Sequence, residues 1–348
     1  MKRQLVMRVR GISLLGAASM VAMSCAVAVP TVHGQGHEHG QHQPAAAQAA
    51  KNQGHKHGSH GGERKSGFVT MADGARIHYI EAGQSWTTGT VAPGKAGGPS
   101  TAEIQKQPSI LFVPGWTMTA EIWEAQIAHF AQTNRVVAMD PRAQGKSSKT
   151  NEGLYPAARA RDIRTLVEKL KLEPVVLVGW SMGVMEVTSY VAEFGTEGIE
   201  GIVLVDGTAG VEFPPEVMKL WIGWLGGFVK DRAKANDGFV RSMFKKPQTE
   251  EYIARVKKSA LETPTPEAMS LILGMMTTDN RPVLAKIDRP TLITIAPGGP
   301  WDAAYVEMQK AIPGARMERF EGAGHALFVD EAEKFNALLE EFVTGLAK

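Results

Sequence analysis

Ser181 lies in Val176-Leu177-Val178-Gly179-Trp180-Ser181-Met182-Gly183. This is a G-x-S-x-G run with an apolar strand signal before it and a helical stretch, Met182–Phe194, after it. That order predicts a sharp strand-to-helix turn that lifts the hydroxyl above a sheet. The flanking glycines permit the tight backbone, and the start of the helix favours negative charge beside Ser181. A serine hydroxyl becomes an effective nucleophile only beside a base. The chain has 10 histidines, and His33, His37, His39, His42, His55, His57 and His60 fall in one low-complexity stretch. His78, His129 and His325 are left. His78 falls in a hairpin and His129 in a surface helix. His325 closes the glycine-rich turn Glu321-Gly322-Ala323-Gly324-His325 after a late strand. There an imidazole can reach the C-terminal edge of a parallel sheet, where sites of open α/β sheets form. The chemistry implied is acyl transfer, with Ser181 as nucleophile and His325 as base.

Such a reaction builds negative charge on a carbonyl oxygen, which needs fixed donors. The loop Val113-Pro114-Gly115-Trp116-Thr117 follows the first parallel strand, and Gly115 lets its backbone approach the reacting centre. The backbone amides of Trp116 and Met182 are the expected oxyanion donors.

These residues need a scaffold. Gly67–Met71 and Ala75–Ala82 flank Ala72-Asp73-Gly74, a hairpin signal. Apolar strand runs follow at Ser109–Val113, Arg135–Met139, Pro174–Val178, Gly201–Val205, Thr291–Ala296 and Arg316–Phe320. Helical stretches separate them at Ala120–Gln132, Ala157–Leu172, Met182–Phe194 and Ala303–Ile312, and Glu331–Leu346 closes the chain. Alternation of this kind predicts a mostly parallel central sheet flanked by helices. Gly83–Gln107, rich in Gly, Thr, Pro and Ser, reads as a long loop.

The amino end reads as an address. Basic residues 1–10 precede the apolar run GISLLGAASMVAMSCAVAV and an Ala26-Val27-Ala28 cleavage site. This predicts a signal peptide over 1–28 and a secreted or periplasmic protein, with no stable membrane span after processing. Lipid anchoring through Cys25 is the lesser alternative. Residues 29–66 form a His-rich linker too polar to bury a core, able to bind divalent metal only weakly. The folded domain is expected over 67–348. The formal charge is +2, and the first 28 residues hold four bases and no acid, which leaves −2 for the rest. That balance argues against a nucleic-acid partner. The single cysteine excludes an intrachain disulfide framework. Asp140-Pro141-Arg142-Ala143-Gln144-Gly145-Lys146-Ser147 ends in Gly-Lys-Ser but has Asp140 where a P-loop needs its first glycine.

Taken together, Pro114–Met118, Asp140–Ser147, Gly179–Gly183, the Glu186–Gly195 helix and Gly322–His325 resemble the α/β-hydrolases. The likeness is nearest to the cofactor-free serine esterase branch that includes non-haem haloperoxidase-like enzymes. The resemblance implies an α/β-hydrolase fold with a helical cap, about 208–288, inserted between strands 6 and 7. It also implies a triad acid. The usual position falls near Gly298-Gly299, which carry no carboxylate. Some members place the acid after the preceding strand, which here is Asp206. Asp206 is therefore favoured, with Asp302 as the alternative. Pro114 stands where relatives usually carry His, and Ala143 where they carry Gly. A serine at the elbow excludes the carboxylate nucleophile of haloalkane dehalogenases and epoxide hydrolases. Aromatic and Met residues of the cap, with Trp221, Trp224 and Phe228 on one helix face, imply an apolar pocket. The expected activity is hydrolysis of small-molecule carboxylic esters with an apolar acyl or aromatic group. No cofactor is expected, and no metal in the folded domain. Perhydrolysis, lactone opening and C–C bond hydrolysis are alternatives on the same triad. Metal binding by the tail is the non-enzymatic one.

Overall fold

The computed structural model describes residues 64–83, 107–212 and 215–346. The expected signal peptide, nearly all of the expected linker and most of the Gly83–Gln107 loop lie outside the described residues.

Eight strands form one sheet: β1 (Lys65–Thr70), β2 (Arg76–Ala82), β3 (Ser109–Val113), β4 (Val136–Met139), β5 (Val175–Trp180), β6 (Ile199–Val205), β7 (Thr291–Ile295) and β8 (Arg316–Arg319). Their order is β1-β2-β4-β3-β5-β6-β7-β8. β1 and β2 run antiparallel at one edge, and every pair from β4 to β8 is parallel. The hairpin closes through Met71 and Ala75, with Gly74 at φ 84°. β1 begins at Lys65, just before the expected domain start.

Both faces of the sheet are covered, which is why the central strands are apolar without alternation. Successive side chains still point to opposite faces. Phe112, Val176, Val178 and Val203 pack with α1 (Glu124–Phe130) and α10 (Ala332–Leu346) on one side. Leu111, Val113, Leu177 and Leu204 pack on the other. There they meet α2 (Pro156–Leu170), α3 (Met182–Phe194) and α8 (Asp302–Ala311). The expected helix from Ala120 opens as a 3-10 turn, Ala120–Trp123, before α1. A short helix, α9 (Leu327–Asp330), precedes α10.

Between β6 and β7 the chain leaves the sheet and forms the expected cap. Its helices are α4 (Pro215–Lys230), α5 (Arg232–Ser242), α6 (Glu250–Leu261) and α7 (Thr265–Met276). Leu225, Phe228, Leu271 and Ile272 pack on Trp116 and Met182, so the cap sits over the ends of β3 and β5. The Trp116 indole N–H donates to Ala268 O at 2.8 Å and ties the cap to that edge.

Candidate active site

Ser181 occupies the single residue between β5 and α3, at φ 57° and ψ −118°. A residue with a Cβ rarely adopts this backbone, and such strain gathers at functional positions. The motif glycines are there for steric reasons. A Cβ on Gly179 would lie 2.5 Å from Gly183 O, and one on Gly183 would lie 2.5 Å from Val113 O. Ser181 N donates to Val205 O at 2.9 Å, which fastens the bend to β6.

His325 reaches this serine from the loop after β8. Its Nε2 lies 2.9 Å from Ser181 Oγ, and its Nδ1 lies 2.7 Å from Asp206 Oδ2. With Nδ1–H donating to the carboxylate, Nε2 accepts from the serine hydroxyl. Asp206 follows β6 at φ 40°, is 7% exposed, and accepts from Ala296 N at 2.9 Å through Oδ1. The buried Tyr305 hydroxyl also hydrogen-bonds this carboxylate. Burial first, and then the charge of Asp206, hold the phenol well above its ordinary range, so it stays a donor.

The two candidate acids are thus separated by geometry. Asp302 opens α8, accepts from Gly298 N at 3.0 Å and lies 3.8 Å from Arg319. Its carboxylate ties the first turn of α8 back to the loop that follows β7, whereas Asp206 faces His325. The other two histidines are engaged elsewhere. His78 pairs with Asp140 at 2.8 Å and with Ser66 at 2.8 Å, and His129 lies 3.1 Å from Glu340.

The expected oxyanion residues flank the serine. A Cβ on Gly115 would come within 2.8 Å of Ser181 Cβ, so only glycine lets this loop close on the nucleophile. That contact brings the segment carrying the Trp116 amide to Ser181. Met182 is the first residue of α3, and its N–H has no acceptor within the helix. The helix dipole adds partial positive charge at the same place.

Several further residues hold His325 and were not singled out in the sequence. Trp180 Nε1 donates to His325 O at 2.9 Å, and the two ring centroids are 5.2 Å apart. Asp330 Oδ2 accepts from Gly324 N at 2.8 Å and from Lys245 N at 2.7 Å. Ala326 N donates to Met243 O at 2.8 Å. The histidine loop is therefore fastened on one side to the elbow and on the other to the cap. An acid five residues after His325 was the available signal for Asp330. Nothing in the sequence pairs it with the cap.

A cavity of about 610 Å³ opens above the serine. Trp116, Trp221, Trp224, Phe239, Met275 and Trp301 are among the residues that line it. The Trp221–Trp224 and Trp224–Phe228 centroids lie 5.6 and 5.4 Å apart, as the one-face spacing predicts. Among the described residues no cluster could hold a metal ion, and no helix is long and apolar enough to cross a membrane.

Known proteins resemble this chain in sequence and fold. Residues 108–332 match the family model described as alpha/beta hydrolase fold. The chain is 25% identical over 256 residues to the non-heme chloroperoxidase CPO-A1 of Kitasatospora aureofaciens, an alignment covering 67% of this chain and 91% of that one. It is 32% identical to the bifunctional esterase/perhydrolase DCH of Acinetobacter calcoaceticus, over 44% of this chain and 47% of that one. An esterase structure from Exiguobacterium antarcticum superposes with a TM-score of 0.70 at 23% identity, covering 80% of this chain and 98% of that one. With the match spanning most of the described sheet and both ends of the Ser181–His325 pair, the chain belongs to the α/β-hydrolase fold family.

Proposed function

We propose that this protein is a serine hydrolase that cleaves carboxylic esters with an apolar acyl or aromatic group through an acyl-enzyme. The observation that carries this reading is the hydrogen-bonded chain Ser181–His325–Asp206 at the floor of an aromatic cavity. In the proposed reaction His325 Nε2 takes the Ser181 proton as Oγ attacks the ester carbonyl carbon. The Trp116 and Met182 amides donate to the oxyanion. His325 then passes its proton to the leaving alcohol oxygen as the C–O bond breaks. Water, deprotonated by His325, attacks the acyl carbon and frees Ser181. Asp206 stays ionised throughout, fixing the imidazole tautomer and stabilising the imidazolium.

The test is labelling with a fluorophosphonate, followed by a p-nitrophenyl ester series of increasing acyl length. Label on Ser181 and rising kcat/KM with acyl length are expected. Failure to label and failure to cleave any member would overturn the reading.

The relatives favour a second reading on the same residues. Two of them carry the names chloroperoxidase and esterase/perhydrolase. In perhydrolysis hydrogen peroxide replaces water at the acyl-enzyme and releases a peracid. Peroxide-dependent halogenation that requires acetate would reveal it.

The domain plan completes the proposal. Residues 1–28 direct export and are removed, the His-rich tether 29–66, whose last two residues open β1, has weak affinity for divalent metal, and the hydrolase follows. Deleting the tether should abolish metal binding and leave ester hydrolysis unchanged.

A further inference from the structure

A buried polar chain runs beneath the elbow, and no step of the proposed hydrolysis uses it. Gln144, Arg159 and Glu186 come from three separate segments and are 0%, 1% and 0% exposed. Gln144 Nε2 donates to Gly115 O at 3.0 Å and to Met118 O at 2.5 Å. Its Oε1 accepts from Thr117 N at 3.2 Å and from Arg159 Nη2 at 3.0 Å. A side-chain amide offers two donors and one acceptor oxygen with two lone pairs, so Gln144 is fully committed. Three of its four bonds hold the loop on either side of Trp116. Arg159 on α2 is fixed in turn by Glu186 on α3, with Nη1 2.9 Å from Oε1. The same nitrogen lies 3.4 Å from Met182 Sδ. The chain therefore links the loop bearing the Trp116 amide to the helix bearing the Met182 amide.

One residue of the loop that Gln144 holds and the residue just before Gln144 are both in left-handed conformations. Thr117 has φ 59° and Ala143 has φ 67°. Such residues persist only where their surroundings impose the conformation. Burying an arginine, a glutamate and an amide under an apolar pocket is also expensive, and apolar side chains of similar volume often serve stability as well or better. A role in fixing geometry accounts for both features.

Resting on the serine-hydrolase reading above, we infer that Gln144 is a positioning residue for the oxyanion site. Backed by Arg159 and Glu186, it sets the distance between the Trp116 amide and the substrate carbonyl oxygen that becomes negative as Ser181 attacks. It touches no substrate. Its effect should appear only as charge develops, because the ground-state ester needs no close donor at that point.

The experiment compares the full chain with Gln144→Leu, which keeps bulk and removes every polar contact. Three quantities are read: kcat, KM for a p-nitrophenyl ester, and the inhibition constant of a trifluoromethyl ketone that forms a tetrahedral adduct. A displacement of the loop should lower kcat by roughly 10- to 100-fold. KM should stay near wild type, and the inhibitor should weaken in proportion to kcat. A merely structural role would not produce that proportionality. If Gln144→Leu does not fold, Gln144→Glu carries the test. It retains the acceptor for Thr117 and Arg159 and sets a carboxylate oxygen in place of the donor facing the Gly115 and Met118 carbonyls, so a fall of the same pattern is expected. A folded variant with wild-type kcat and inhibitor affinity would overturn the inference, as would a rise in KM alone. Wild-type protein that neither cleaves the ester nor binds the ketone would instead overturn the hydrolase reading itself.

Discussion

The indole N–H of Trp180 donates to the carbonyl oxygen of His325 at 2.9 Å. The residue just before the nucleophile thus holds the backbone of the base, which arrives from the far end of the chain. The wide residue inside G-x-S-x-G acts here as a strut between the turn of the nucleophile and the loop of the base.

Trp180→Phe keeps a ring against the imidazole and deletes that bond. One neutral hydrogen bond is worth about 0.5–1.5 kcal/mol, so kcat/KM should fall by roughly 2- to 10-fold. The rate of fluorophosphonate labelling should fall by the same factor, since it depends on the same Ser181–His325 alignment. Equal labelling rates in the two proteins would show that the strut is dispensable.

Asp206→Asn should cost about 10⁴ in kcat, because an amide at this position favours the wrong imidazole tautomer. Asp302→Asn should leave kcat close to wild type and lower only stability, since its carboxylate holds the loop after β7 through Gly298 N. Steady-state kinetics of the two variants side by side distinguish them. Comparable losses would mean that the acid has been misassigned.

Glu186 should make folding stability depend on pH. Burial pushes its carboxyl from the ordinary 4.5 up to about 7, against the pull of Arg159. Neither carboxylate oxygen receives a well-directed hydrogen bond, although Arg159 is close enough to pair its charge. Because the folded pKa is raised, the folded state binds more protons than the unfolded state between these values. Unfolding free energy contributed by this group is then fully present below pH 4.5 and lost as pH rises through about 7. Thermal unfolding across that window should show Tm falling with pH, and Glu186→Gln should flatten the fall. A wild-type slope retained in Glu186→Gln would place its origin elsewhere.

Much of this architecture was legible in the residues because it depends on local rules. Apolar runs such as Ser109–Val113, set among helical stretches, read as strands buried on both faces, and Gly179-Trp180-Ser181-Met182-Gly183 between a strand and a helix reads as a sharp turn. With seven histidines confined to one polar stretch, His325 stood out by its glycine-rich turn. The acid was harder. Asp206 and Asp302 both follow strands, and what separates them is which loop leans toward the imidazole, a property of strand order rather than of spacing. The Gln144–Arg159–Glu186 chain was not legible at all. Glu186 in an apolar helix was a visible anomaly, but its partner lies on α2, and only the packing of α2 against α3 brings them together.

The central claim is that one hydroxyl does the covalent chemistry. Measuring kcat for Ser181→Ala on the best p-nitrophenyl ester tests it most directly. A fall on the order of 10⁶ is expected, because nucleophile and base act as one unit. A folded Ser181→Ala protein that still turns over this ester at a rate near wild type would contradict the account.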